Sequence, residues 1–390
     1  MLSKRGARRG TWSFLVRGIT TGFPETTEFS PSMMKTMDSR EKHAASTLRR
    51  VIPAEFEPEI DGALITLRLQ DRTWRFLPIW IGEGLPADAR RAVGIVLERA
   101  GAWPDAFPVV IANRVSPGAQ EFFKEHHLSW ADRSGRARIL APHGLFISRS
   151  DPIRADAGRT FAWSNAADAV AETLLTWAVF RQPDDELRID RVAEIASATD
   201  LSLAHTARVL RQFDEVGYTA KTGAERGSTA SREFRDRGRM LSHWAGHYAS
   251  TGGPGRSVEF SVPWRETDRS LRQIHEILGG VPWAVTGAVA ADLVAPFLTS
   301  LNDLEFYVSA EHAELVQDLL ATDGQLTEVE SGGRVRVFTA EPHVLRLSTM
   351  IGEVDGVLIA PPVRVYADLL RRGGRSAEAA EHLREVRIGF

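Results

Sequence analysis

The sequence predicts a multidomain α+β protein, with two α/β segments on either side of a small all-α one. Three observations predict it. Short apolar strands alternate with helix-period stretches between residues 40 and 150, and the alternation resumes after residue 256. Between them, Arg188–Gly217 carries two helical stripes with a break and no strand pattern. Thr251-Gly-Gly-Pro-Gly255, four of whose five residues are Gly or Pro, then reads as a linker.

Composition sets the bounds. A chain of 390 residues with 43% hydrophobic residues has material for two or three cores. It has no cysteine, so disulfides and thiolate metal sites are excluded, and a cytoplasmic location is the expectation. No run of about 18 apolar residues suits a membrane span. A net charge of −3 argues against a chain coated in nucleic acid but permits a local basic footprint.

Residues 1–39 read as a disordered tail. Lys4, Arg5, Arg8, Arg9 and Arg17 make it basic, and Trp12–Val16 is too short for a signal h-region. Residues 40–150 read as an α/β domain. Glu41–Val51 is a helix, Ala63–Leu69 and Thr73–Ile81 are strands, and Ala87–Ala100 is a helix. Pro78 within the second strand marks a sheet edge or a bulge. Pro108–Asn113 is a buried strand by its Val-Val-Ile-Ala run, Pro117–Glu125 a helix, and Ser129–Ser148 holds two or three short strands.

Residues 166–250 form the all-α segment. A helix over 166–181 leads into two shorter ones. In the first of these, Ile189, Val192, Ile195 and Ala196 recur at helical spacing, and Ala198–Leu201 breaks the pattern. Ser202 is placed to cap the next helix through its hydroxyl. There Leu203, Thr206, Leu210, Phe213 and Val216 form one stripe, and Gly217 sits where a positive φ ends a helix. The stripe leaves Ala204, His205, Ala207, Arg208, Arg211 and Gln212 facing out. Tyr218–Arg239 is rich in Gly, Ser and Arg and reads as a hairpin. Its bases are Lys221, Arg226, Arg232, Arg235, Arg237 and Arg239, against Glu225, Glu233 and Asp236. Arg235–Ala249 continues as a helix. This is the build of a winged helix-turn-helix, whose second helix enters the DNA major groove. Candidate DNA contacts are Ser202, His205, Arg208, Arg211, Gln212, Lys221, Arg226 and Arg232.

Residues 256–390 read as a second α/β domain. Val258–Val262, Trp283–Thr286, Leu304–Val308, Leu326–Glu330 and Val335–Phe338 are strands. Ala288–Phe297, Glu311–Leu320, Pro362–Arg371 and Ser376–Arg384 are helices. Asp303 and Glu305 flank Leu304, so alternation puts both carboxylates on one strand face, about 7 Å apart. Such a pair is suited to Mg²⁺; with Leu304 and Phe306 as the buried partners, solvated acids are the expectation. His243 and His247, four apart on a helix, lack a third ligand, so no metal or cofactor is expected.

The first α/β domain has the element order of a restriction-endonuclease-like fold. Asp61 lies where such nucleases place an acid, but the next strand, Arg75-Phe-Leu-Pro-Ile-Trp-Ile, has no Glu-x-Lys, so the domain is read as degenerate. Val109-Val-Ile-Ala-Asn-Arg-Val-Ser-Pro-Gly-Ala-Gln-Glu-Phe-Phe and Leu128-Ser-Trp-Ala-Asp-Arg-Ser-Gly-Arg-Ala-Arg-Ile, followed by the helix-turn-helix, resemble the AbiEi-type antitoxin and transcriptional-regulator family of type IV toxin–antitoxin systems. The resembling turn is Asp-x-Ser/Ala-Gly-Asn; Arg136 stands in the Asn place here. In the last segment, Trp283-Ala-Val-Thr-Gly-Ala-Val-Ala-Ala-Asp-Leu is similar to the Thr-Gly turn of nucleotidyltransferase-like domains, without the Ser of active enzymes. Val365-Tyr-Ala-Asp-Leu-Leu-Arg-Arg-Gly-Gly-Arg-Ser-Ala-Glu-Ala-Ala-Glu-His-Leu is similar to the family's closing helices.

The resemblance covers about residues 45–385. It implies an autorepressing, DNA-binding antitoxin-like regulator with double-stranded DNA and a cognate toxin as partners, no membrane, and self-association open. Two rivals stand beside it: a Mg-dependent nucleotidyltransferase using Asp303 and Glu305, and a winged helix that binds protein.

Overall fold

The computed structural model describes residues 39–53, 55–56, 58–150, 161–180, 192–223, 230–251, 253–255, 257–354 and 356–390. The expected tail up to residue 38, Ile189 and Arg226 lie outside them. The chain divides into two compact units, one comprising residues up to 115 with 119–153, the other residues 116–118 with 154–390.

The first unit is a seven-stranded sheet covered on both faces. Its elements are α1 (Ser39–Val51), β1 (Glu59–Asp61), β2 (Leu64–Leu69), β3 (Arg72–Gly82), α2 (Pro86–Ala102), β4 (Phe107–Ala112), α3 (Pro117–Glu125), β5 (Ser129–Asp132), β6 (Ala137–Ala141) and β7 (Leu145–Arg149). The strands lie in chain order, with β3, β4 and β5 parallel and the flanking pairs antiparallel. Strand alternation explains the run in β4. Val109 and Ile111 pack with Ala44, Ala45 and Leu48 of α1, while Val110 and Ala112 pack with Ala89, Ala92 and Phe123 of α2 and α3. A strand covered on both faces must be apolar at every position. Burying each large aliphatic or aromatic side chain contributes about 1.5–3 kcal/mol.

Pro78 belongs to an interior strand, yet its missing donor costs no bond to β2. Pairing with β2 ends at Phe76, so the stretch around Pro78 pairs β4 alone, and a bulge follows between Trp80 and Gly82. Asp61 is exposed and closes β1 at the β1–β2 turn, with Gly62 next in the left-handed region at φ 56°. Asp132 ends β5 fully buried. Its carboxylate accepts from the amides of Val115 (3.1 Å) and Arg136 (3.1 Å), from Ser134 Oγ (2.5 Å) and from the Arg136 guanidinium (2.7 Å). Arg136 also donates to the Val115 carbonyl at 2.8 Å. Arg136 is thus the counterion of a buried turn acid.

The second unit begins with α4 (Asn165–Phe180), which is buried nearly all round. On it pack α5 (Val192–Thr199), α6 (Leu203–Glu215) and α7 (Arg237–Ser250), while the hairpin β8 (Thr219–Gly223) and β9 (Ala230–Phe234) packs against α6. There follow β10 (Val258–Ser261), α8 (Thr267–Leu278), β11 (Trp283–Thr286), α9 (Gly287–Val294), β12 (Leu304–Ser309), α10 (Ala313–Thr322), β13 (Thr327–Val329), β14 (Val335–Ala340), α11 (Pro342–Ile351), the two-residue pair β15 (Glu353–Val354) and β16 (Val357–Leu358), α12 (Pro362–Arg372) and α13 (Arg375–Leu383). Five strands form a mixed sheet in the order β11-β12-β14-β10-β13, with β12 and β14 parallel.

One apolar core runs through the whole unit, from Val170 and Leu210 through Trp244 to Phe260, Phe306 and Leu369. The Gly/Pro stretch at 251–255 is therefore a turn within a unit, not a spacer between separate cores. The helix expected over Ala288–Phe297 ends at Val294, because Pro296 pushes the residue before it, Ala295, out of the helical region. Helices α8 and α11 have no counterpart in the sequence reading.

Candidate nucleic-acid interface

Helix α5 stops where Asp200 turns left-handed at φ 58°. Thr199 Oγ1 donates to the Ile195 carbonyl at 2.7 Å, and the Leu201 amide to that of Ala196 at 3.0 Å, closing the break. Ser202 is extended (φ −66°, ψ 150°) and its hydroxyl accepts from the His205 amide at 3.3 Å, so the expected N-cap is present. At the other end Gly217 adopts φ 74°. Thr206, Val209, Leu210 and Phe213 are buried. Leu203, expected in the stripe, is 58% exposed, and Val209 takes the inward place. Leu203 occupies the first turn, which projects beyond the packing partners of α6.

Ala204, Arg208, Arg211 and Gln212 form an exposed i, i+4, i+7, i+8 row, with His205 half-buried beside it. Behind the row, Asp214 accepts from Thr219 Oγ1 at 2.6 Å and from Arg232 Nε at 2.9 Å, tying both hairpin strands to the end of α6. Arg232, expected to face phosphate, is thereby held inward. Arg235 pairs with Glu233 at 2.7 Å, Arg237 lies over the Phe390 ring, and Arg239 donates to the Val216 carbonyl at 2.6 Å and lies over the Tyr218 ring. Lys221 is exposed on β8.

Tyr218 is the pivot of the hairpin base. Its carbonyl accepts from the Arg235 amide, and its hydroxyl lies 2.7 Å from His243 Nδ1. Burial, together with the Arg239 charge, holds the His243 pKa below the ordinary histidine value. His247, expected to share a polar face with it, stacks on Trp163 and lies 3.8 Å from Asp168. No group of three His or acidic residues suited to a metal occurs among the described residues.

The acid pair of β12 is not solvated. Asp303 is half-buried and Glu305 is 2% exposed. Arg336 on β14 and Arg372 on α12 each reach Asp303 at 3.0 Å, and Arg372 reaches Glu305 at 3.1 Å. Glu305 Oε2 packs against Gly287, at φ 65° the first residue of α9, where any Cβ would collide with it. That oxygen has no hydrogen-bond partner among the described residues. Burial raises the Glu305 pKa against the opposing pull of Arg372. The strand face that alternation assigned to solvent is covered by α12, with Asp368 buried beneath it and hydrogen-bonded to Thr286, Tyr307 and Tyr248.

The helices beneath α5 and α6 are joined to the C-terminal part by a second buried cluster. Glu172 of α4 accepts from Arg364 Nε at 2.9 Å and lies 2.7 Å from His343 Nε2. Burial alone would raise the Glu172 pKa, but Arg364 and His343 outweigh it and hold the carboxyl at about 2. Arg346 of α11 donates to the carbonyls of Ser197 (2.7 Å) and Ala198 (3.2 Å), supplying partners that the last turn of α5 lacks. None of these contacts was visible in the sequence, since their members lie far apart along it.

Residues 234–388 match the family model described as "Transcriptional regulator, AbiEi antitoxin, Type IV TA system". The match spans α7 and the entire mixed-sheet part, which are therefore similar to that antitoxin and transcription-regulation family. Neither the curated proteins nor the solved structures gave a match. No described helix is long and apolar enough to cross a membrane.

Proposed function

We propose that the chain is a DNA-binding transcriptional regulator, an antitoxin-like repressor of its own operon, with a winged helix-turn-helix at residues 166–250. The observation that carries this reading is the exposed row Ala204, Arg208, Arg211 and Gln212 on a capped helix tied at its far end to a hairpin. Small and bidentate side chains on one helix face suit base edges in the major groove. Ser202 and His205 lie at the end of α6 that enters the groove, and Lys221 contacts phosphates from the wing. Arg232 positions the wing through Asp214. The family matched at 234–388 supports regulation and a toxin partner for the mixed-sheet part.

The nucleotidyltransferase reading is weaker. Two arginines lie against Asp303 and Glu305, and this compensation leaves little negative charge for Mg²⁺. We read this part as a structural, nucleotidyltransferase-like scaffold, and the first unit as a restriction-endonuclease-like domain without catalysis. The test is anisotropy titration of the chain onto the duplex upstream of its own gene. Specific, salt-dependent binding that Arg208→Ala weakens by about 1–3 kcal/mol is expected. Wild-type affinity and specificity in Arg208→Ala would refute the helix assignment.

A further inference from the structure

Helix α1 carries Arg40, Lys42, His43, Arg49 and Arg50 on its solvent side, all exposed, while Ala44, Ala45, Leu48 and Val51 pack under the sheet. Its one acid, Glu41, is neutralised by Arg99 at 2.8 Å. Lys42, His43 and Arg49 make no ion pair with any described residue. Arg50 reaches only a backbone carbonyl, that of Arg133 at 3.5 Å, which leaves its charge uncompensated.

Two ordinary explanations account for part of this. Arg49 and Arg50 sit in the last turn, where cations suit the helix dipole. Solubility explains scattered surface lysines and arginines. Neither explains Lys42 in the first turn, where a cation opposes the dipole and costs about 0.3–1 kcal/mol. Nor does either explain so dense a basic face in a chain whose net charge is −3. Lys42, Ser46 and Arg49 lie at i, i+4 and i+7, so the two charges share a face about 10 Å apart along the axis. Duplex DNA carries one phosphate charge per about 1.7 Å of its axis, so that face is matched to several phosphates at once.

We propose that the exposed face of α1 is a second, sequence-independent contact for the phosphate backbone of duplex DNA, separate from the helix α6 interface. The proposal rests on the reading of the chain as a DNA-binding protein. It assigns the first unit a part in affinity without a part in base recognition, and it needs no chemistry from that unit. Lys42, Arg49 and Arg50 release counterions; none of them reads a base.

The test is a salt series from about 50 to 300 mM on the full chain. It uses the upstream duplex and an unrelated duplex of equal length, with wild type, Lys42→Gln/Arg49→Gln/Arg50→Gln and Arg208→Ala. Each phosphate contact contributes about 0.9 to the slope of log K against log salt. The triple variant, folded by circular dichroism, should lower the slope by about 2–3 on both duplexes and keep the wild-type preference between them. Arg208→Ala should do the reverse. An unchanged slope in the triple variant, with Arg208→Ala still losing preference, would overturn the α1 contact and leave the regulator. A wild type with no duplex binding would overturn both. Loss of binding to anionic phosphatidylserine vesicles with an unchanged duplex slope would assign the face to a membrane surface instead and overturn the proposal.

Discussion

Arg372 places one guanidinium nitrogen 3.0 Å from Asp303 and 3.1 Å from Glu305. A single cation thus serves a half-buried and a fully buried carboxylate, with Arg336 on the other side of Asp303. The charges are matched within the chain, and the pair is costly to unbalance in only one direction.

Arg372→Ala should destabilise the chain by about 2–4 kcal/mol, because it removes the cation that compensates the buried Glu305 and the half-buried Asp303. Glu305→Gln should cost less. The Glu305 pKa is raised, so its folded-state contribution is present at low pH and lost as pH rises through the raised value. A neutral side chain relieves that loss at any pH above the raised value. Urea denaturation at pH 7.5 compares the two; a larger loss in Glu305→Gln would contradict the account.

The same arrangement predicts no nucleotidyl transfer. Labelled nucleoside triphosphates, Mg²⁺ and tRNA or protein acceptors should give no product with the full chain. Transfer that disappears in Asp303→Asn would promote the enzyme reading, whatever the DNA binding.

Acid should loosen the hairpin base. The His243 pKa is lowered, so the native state favours the neutral ring that meets Tyr218, with Arg239 and Asp236 the charged groups facing it. Stability from this site is complete above the ordinary histidine value of about 6.5 and is lost as pH falls below it. The protection factors of the β8 and β9 amides, corrected for the intrinsic pH dependence of exchange, should fall as pH drops below about 6.5. His243→Gln should flatten that dependence, and an unchanged profile would remove His243 as its source.

Asp168 runs the other way. Burial and the neighbouring carboxylates Glu172 and Glu341 push its pKa up to about 7, against the pull of Arg364 and His343, and His247 lies 3.8 Å away. Its contribution is present below the ordinary aspartate value and is lost as pH rises through about 7. The stability gain of Asp168→Asn over wild type should therefore grow between pH 4 and 7 and stay level above, as thermal melts across that range will test.

Arg346→Ala should weaken DNA binding without touching DNA. It removes the donors to Ser197 and Ala198, leaving two orphan carbonyls at the turn before Ser202. Faster exchange of α5 amides together with a several-fold affinity loss on all duplexes is expected. Wild-type affinity would show that the turn holds without it.

Much of the fold was legible because its signals are local. The all-apolar β4, the cap at Ser202 and the glycine at 217 each act within a few residues. Helix α8 was missed because Thr267–Leu278 is mostly polar and buries only Ser270, Leu271, Ile274 and Leu278. The fate of Glu305 was not legible either. Alternation states which residues share a face; it is silent on what covers that face. The covering arginines lie 33 and 69 positions beyond Asp303. The bond from Arg232 to Asp214, 18 positions earlier, was not legible for a related reason, since charge in a hairpin does not reveal an inward partner.

The union of Glu172 with Arg364 spans 192 positions. On a ribosome, α4 emerges with a carboxylate whose guanidinium has not yet been synthesised. Until α12 arrives, burying Glu172 would strand an unpaired charge in an apolar setting. The helices that rest on α4 consequently mature only after α12 has been synthesised. Chains terminated before α12 would contain the complete α5 and α6 sequence yet lack the buried pair that supports it.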